Sequence, residues 1–348
     1  MTQTESTHLQ WVDITRIFAS LLVVVIHVSS PLLSRFGTIS ISDWWAGNIY
    51  DSIARIAVPL FLMVSGALLL GKEESIGDYL KKRVTKVLIP LLAWTVIYLL
   101  FSAWYDGSGI TLKKVLKLWY QPAYYHLWFM YTIVGLYMIV PIIRAFVVNS
   151  SRTLLLYYLA VWAFSASILP QLTNPLQITW LPDLRLASGF AGYLVLGYFL
   201  STFQPSQKLI LSGSVAFVIG IAATIFLTST ATFSKGEFVG TYFEYLNPAV
   251  VLSSTGAFCL LVTLGAGVAA KFDHPNTLTT LGTASFGVYL FHIIPLAILE
   301  RGLFGVSLTG WLFNPWLAIP VTTLAVFIIS TTVVLGLRRI PWVRLIVP

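Results

Sequence analysis

Arg16 and His27 stand eleven positions apart in the first apolar stretch of the chain. Eleven helical residues make about three turns, so both side chains leave the same face, ~16 Å apart along the axis. An imidazole with an ordinary pKa near ~6.5 suits proton transfer and can also act as a nucleophile. An arginine inside an apolar helix costs at least ~2.5–3.5 kcal/mol near its middle, so it points to function by default. Each residue also has an ordinary reading. Arg16 can snorkel towards water or pair with Asp13, three residues before it on the same face. A lone histidine can serve as an interhelical hydrogen-bond partner.

Other polar groups fall at matching depths. Asp51 and Arg55 are spaced i,i+4 near the outer end of the second apolar segment, where they can pair with each other. Arg55 is expected at about the level of His27. His126 and Trp128 mark the outer start of the fourth segment, a position natural for an interfacial Trp. Glu300 ends the ninth segment on the same side, and His292 lies nearer the midplane. On the inner side Lys82, Arg83 and Lys86 form a basic entry to the third segment, which by itself reads as a topology signal or a contact for anionic lipid.

The elements that must position these residues are membrane helices. Of 348 residues 57% are hydrophobic and only 10% charged, against about 25% charged in ordinary soluble domains. Hydropathy predicts ten spans, at 11–33, 48–70, 87–105, 127–146, 153–170, 188–204, 208–228, 246–270, 283–300 and 315–336. Each is of the order needed to cross a ~30 Å hydrocarbon core. The expected fold is all-α, one polytopic helix bundle over 1–348 with no separate soluble domain. The sixth and seventh spans, separated only by Gln204-Pro205-Ser206-Gln207, are expected to form a tight hairpin. Asp106-Gly107-Ser108-Gly109 and Asn174-Pro175 punctuate other ends, and Lys113, Lys114 and Lys117 suggest a short amphipathic surface helix. With the N-terminus inside, twelve basic residues fall in inner loops and seven in outer loops, Arg185 among the latter. That favours both termini in the cytoplasm.

The net charge of +8 is explained by that loop bias, not by nucleic-acid binding. Cys259 is the only cysteine, so no intramolecular disulfide and no cysteine metal cluster are expected. The polar start has no basic n-region and no small-residue cleavage site follows, so the first run reads as a retained helix. There is no P-loop, no Gly-rich dinucleotide fingerprint and no His-Glu-x-x-His pattern, and no metal is expected.

Taken together, these segments resemble the acyltransferase 3 family of integral membrane O-acyltransferases over nearly the whole chain. Trp11-Val12-Asp13-Ile14-Thr15-Arg16 through Val25-Ile26-His27 matches the family's Asp-x-x-Arg start and its arginine–histidine spacing. Arg55-Ile56-Ala57-Val58-Pro59-Leu60-Phe61 with Ser65-Gly66 is similar to the second-span signature. Lys82-Arg83-Val84-Thr85-Lys86-Val87-Leu88-Ile89-Pro90 is similar to the basic entry into the third span. Tyr125-His126-Leu127-Trp128-Phe129 and Ser285-Phe286-Gly287-Val288-Tyr289-Leu290-Phe291-His292 resemble the fourth-span and late signatures. Ile17 departs from the Gly that many members carry after the arginine. Within the family the likeness is to the group of the enterobacterial common antigen O-acetyltransferase, and the extra esterase-like domain of some members is not expected.

The resemblance implies transfer of an acyl group, most often acetyl, from cytoplasmic acyl-CoA to a glycan or other hydroxyl, in a bacterial-type inner membrane. No permanently bound cofactor is implied; acetyl-CoA is a co-substrate. Lys82, Arg83 and Lys86 are then assigned to the donor's phosphates and Arg16 to the inner mouth of the acyl path. His27 becomes the base on the acceptor hydroxyl or a transient acyl carrier. Asp51 or Glu300 would orient its ring, while Arg55 or His126 would stabilise oxyanion charge. The rival reading is a transporter or flippase of a lipid-linked glycan, to which central charges among many spans are equally suited. The acceptor, the acyl chain length and the oligomeric state are not readable.

Overall fold

The computed structural model describes residues 3–107, 109–173, 184, 189–269, 271, 275–303 and 305–348. Asn174-Pro175 and Arg185 lie outside them. Fifteen α-helices follow one another, with no strand among the described residues. They are α1 (Gln3–Leu33), α2 (Ile41–Ala54), α3 (Ala57–Leu69), α4 (Ile76–Arg83), α5 (Ile89–Asp106), α6 (Leu112–Lys117), α7 (Trp128–Val148) and α8 (Arg152–Trp162). Then come α9 (Leu169–Thr173), α10 (Ala191–Ser201), α11 (Gln207–Lys235), α12 (Pro248–Ala269), α13 (Pro275–Phe291), α14 (Ile293–Arg301) and α15 (Pro315–Leu337). Among the described residues eight continuous helical stretches are long and apolar enough to cross a membrane, and the bent pair α13–α14 makes a ninth. The chain is a multi-pass, all-helical membrane protein.

The sixth expected span differs. Its place is taken by α10, whose 11 residues reach only about 16 Å at 1.5 Å per residue. Gly189, at φ +81, stands just before it in a left-handed conformation that a helix cannot extend through. Nor do α10 and α11 form the expected hairpin, since α10 packs on α3 and α11 packs on α12. Close backbone approach decides both pairings. A Cβ on Gly66 would fall 1.9 Å from the Leu194 carbonyl oxygen, and one on Gly256 would fall 2.4 Å from the Gly213 oxygen. In lipid, where apolar faces gain little by meeting, such small-residue seams select the partner helix.

α1 is the hub, packed against α2, α3, α12, α13 and α15. Arg16 of α1, the residues just before α5 and the residues just after α15 gather at one end of the bundle around a common cavity. The end of α5, the short α6 and the entry to α7 gather at the other. α6 carries Lys113, Lys114 and Lys117 behind an N-cap by Thr111, as the amphipathic pattern predicts.

Prolines shape the helices at several site residues. Proline has no N–H, so the carbonyl four residues earlier loses its helical partner. Pro31 does this to His27, Pro59 to Arg55, Pro90 to Lys86 and Pro295 to Phe291, next to His292. The consequences are visible in the backbone. α2 breaks into α3 at Arg55–Ile56, Lys86 lies in a π-helical turn over Val84–Leu88, and α13 bends 52° into α14 at His292. Where Pro141 and Pro320 free the Tyr137 and Trp316 carbonyls, Tyr79 and Tyr50 hydroxyls donate to them at 3.0 and 2.9 Å.

Candidate active site

Three histidines from three separate helical segments meet in the interior. The His27 ring stacks on His292 at 5.2 Å between centroids and 27° between planes. His126 stands edge-on to both, 5.4 Å from His292 and 6.5 Å from His27. Tyrosines fix this group by gripping backbone. The Tyr289 hydroxyl donates to the His126 carbonyl, the Tyr98 hydroxyl to the Leu290 carbonyl at 2.7 Å, and His292 Nδ1 lies 2.7 Å from the Tyr289 carbonyl.

The three imidazoles are not equivalent. His126 and His292 are sealed, and among the described residues neither nitrogen of His126 nor Nε2 of His292 has a hydrogen-bond partner. His27 is only half-buried. It makes no hydrogen bond to any described residue, so its ring is open to a substrate group. Stacked rings do not converge their nitrogens on a point, and among the described residues no three metal-ligating side chains are placed to share an ion.

Towards the Arg16 end lies a cavity of about 600 Å³; none of the three histidines lines it, but Tyr289, in ring contact with His126 and His292, does. Tyr289, Phe129 and Phe61 line its apolar part, while Arg16, Lys86, Arg338 and Arg344 supply its charge. Arg16 keeps a third of its side chain exposed (33%), with Asp13 Oδ1 3.9 Å from Nη1. Asp13 itself is wedged against α13, where a Cβ on Gly282 would meet its carboxylate at 2.4 Å. Ser65 and Tyr137 hydroxyls, 3.1 Å apart, lie on the same wall.

Only one of the three expected donor residues lines this cavity. Lys86 does; Lys82 instead bonds Glu74, whose carboxylate Arg144 also approaches at 3.9 Å. Arg83 is stacked between Tyr79 and Tyr137, 5.3 and 5.4 Å from their ring centres. In the sequence Arg338 and Arg344 stand out only as two of the twelve basic residues in inner loops. Nothing local marks them, because they reach the cavity through packing from the opposite end of the chain.

The supporting residues divide in the same way. Arg55 Nε bonds Asp51 Oδ1 at 2.6 Å, the ordinary i,i+4 outcome, and the guanidinium sits 4.7 Å from the Phe243 ring. Trp128 joins this group indirectly, stacked at 5.6 Å on Tyr245, which also faces Arg55. Neither Asp51 nor Glu300 makes a hydrogen bond or ion pair with His27, whose ring is stacked on His292 instead. Beyond His27 the ring of Tyr125, 5.1 Å away, lines a second cavity of about 560 Å³ with Asp106, Lys117 and Gln121.

A model of the family described as an acyltransferase domain, the acyltransferase 3 family, matches residues 9–335. No curated protein and no solved structure matches the chain.

Proposed function

The chain belongs to the acyltransferase 3 family, and from that premise we propose that it moves an acyl group, acetyl in the first instance, from acyl-CoA to a hydroxyl on a surface or lipid-linked glycan. The observation that supports this reading is the position of His27. It is the accessible one of three imidazoles, between a basic cavity at one end and a polar cavity at the other. In this reading the Arg16 end faces the cytoplasm of a bacterial-type inner membrane, following the loop charge bias. The donor then enters beside Lys86 and Arg16, and the acceptor approaches past Tyr125.

The chemistry is direct. The neutral imidazole of His27 takes the proton of the acceptor hydroxyl as its oxygen attacks the thioester carbonyl carbon. The tetrahedral intermediate collapses with cleavage of the C–S bond, and the leaving thiolate recovers the proton from the imidazolium. In the covalent variant the imidazole nitrogen first displaces the thiolate, and the acceptor then attacks the acyl-histidine. Low-dielectric surroundings favour either route by strengthening interactions with developing charge.

The reading is tested with purified protein, labelled acetyl-CoA and a membrane glycan acceptor. His27→Ala removes transfer while insertion and thermal midpoint stay normal; undiminished turnover by that variant overturns the role. Rapid acid quench without acceptor separates the routes, since only the covalent one leaves label on the protein. Folded protein that binds no acyl-CoA returns the chain to the glycan-transporter reading.

A further inference from the structure

Beside the large cavity lies a smaller one of about 390 Å³, lined by Thr280, Thr283, Leu335, Arg338, Arg339 and Arg344. The two share Thr283, Arg338 and Arg344. Arg338 caps α15, and Arg344 rides on a single 3-10 turn, Val343–Leu345. That tail is anchored. Val343 and Val347 are buried, the Ile346 carbonyl accepts Trp94 Nε1 at 2.8 Å, and Val347 fills the space beside Gly287. Packing therefore holds Arg344 over the cavity.

The charges there are uncompensated. Among the described residues Arg16, Arg55, Lys82, Arg144 and Lys235 each have a carboxylate within 4.0 Å; Arg338, Arg339 and Arg344 are among the basic residues that have none, and all three line one cavity. The Arg338 guanidinium donates to Thr283 Oγ1, at 3.0 Å. Burial, and then the charge of Arg344, pull its guanidinium below the ordinary range. A helix C-terminus favours one nearby cation, and anionic lipid favours basic loops. Neither requires a tail folded back over a second cavity that shares a wall with the first.

Resting on the donor reading above, we infer that Arg338, Arg339 and Arg344 bind the 3′-phosphate of the acyl-CoA adenosine, with the pantetheine arm running into the larger cavity past Lys86. A phosphomonoester carries about −1.5 to −2 charges at neutral pH, the densest charge on such a donor. Three arginine forks are the matching density of donors, and their planar geometry suits bidentate phosphate contact. A lipid phosphate offers related chemistry, so the test must separate the two sources.

The experiment uses full-length protein in discs of neutral phosphatidylcholine, with dissociation constants for CoA and 3′-dephospho-CoA. The wild type binds CoA at least about tenfold more tightly than 3′-dephospho-CoA, the change expected from one charge-assisted hydrogen bond. The double variant Arg339→Gln/Arg344→Gln loses that preference but keeps its 3′-dephospho-CoA affinity and its thermal midpoint. Equal wild-type affinities for the two ligands overturn the inference and leave the donor reading standing. Folded wild type that binds neither ligand overturns the donor reading itself. An effect of the double variant that appears only in discs containing phosphatidylglycerol assigns the arginines to lipid headgroups and also overturns the inference.

Discussion

Around the basic cavity the charged groups reach water and several lack a carboxylate partner, Arg338 and Arg344 among them. About three turns along α1 the conditions reverse. His126 is 2% exposed and His292 fully buried, and among the described residues both nitrogens of His126 and Nε2 of His292 have no hydrogen-bond partner. A polyanion needs cations that are already solvated at the entrance, where holding them charged costs little. Proton and acyl transfer gain from the opposite, because interactions with developing charge are stronger where water is excluded. One helix carries a residue into each environment, Arg16 and His27, and the bundle built around it makes the two environments different.

Removing His27 should have the largest effect. His27→Ala is expected to lower kcat by about 10²- to 10⁴-fold, the usual range for a lost general base, without raising the donor KM. Steady-state assays varying each substrate check this, and a pure KM effect would place His27 in binding.

At the opposite end Lys86→Gln is expected to raise the donor KM by roughly tenfold with little change in kcat, as loss of a charge-assisted contact does. Lys82→Gln should leave the donor KM unchanged, because its ammonium is committed to Glu74. Equal effects from the two variants would mean that Lys82 leaves Glu74 and meets the donor as Lys86 does.

Within the dry region, His126→Phe replaces a buried imidazole that satisfies no hydrogen bond by an apolar ring. It is expected to leave the thermal midpoint unchanged or raise it, since removing an unsatisfied buried polar group relieves its desolvation cost. A large fall in that midpoint would show that the ring nitrogens are partnered after all.

The smallest effect concerns Glu74, outside the spans. Hydrogen bonding by Lys82 is the first cause that holds its carboxylate below the usual range, near 4.5. A depressed folded-state pKa contributes stability that is fully present above the unfolded value and lost as pH falls through the folded one. Glu74→Gln should therefore flatten the acid-side decline of thermal stability below about pH 4.5, while leaving stability differences between pH 6 and 8 untouched. Thermal scans across that window read it directly.

Much of this organisation could be read along the chain. Apolar runs located the long helices, because each must satisfy its backbone internally to lie in lipid. The 3.6-residue period put Arg16 and His27 on one stripe, and the i,i+4 spacing of Asp51 and Arg55 anticipated their pair. The prolines are a further signal in the chain: one stands four residues after each of His27, Arg55, Lys86 and Phe291, the last next to His292, and the backbone departs from regular helix at three of the four.

The sequence by itself determined what is local: the helices, their breaks, and which residues share a face of one helix. Only the tertiary structure decided which faces meet. It brought His27, His126 and His292 together, drew α10 onto α3 instead of α11, kept Lys82 out of the cavity and brought Arg344 in. The reason is physical. Helix period is set by backbone hydrogen bonds within a few residues, whereas helix pairing in lipid depends on close packing between distant segments that composition does not distinguish from lipid-facing surface.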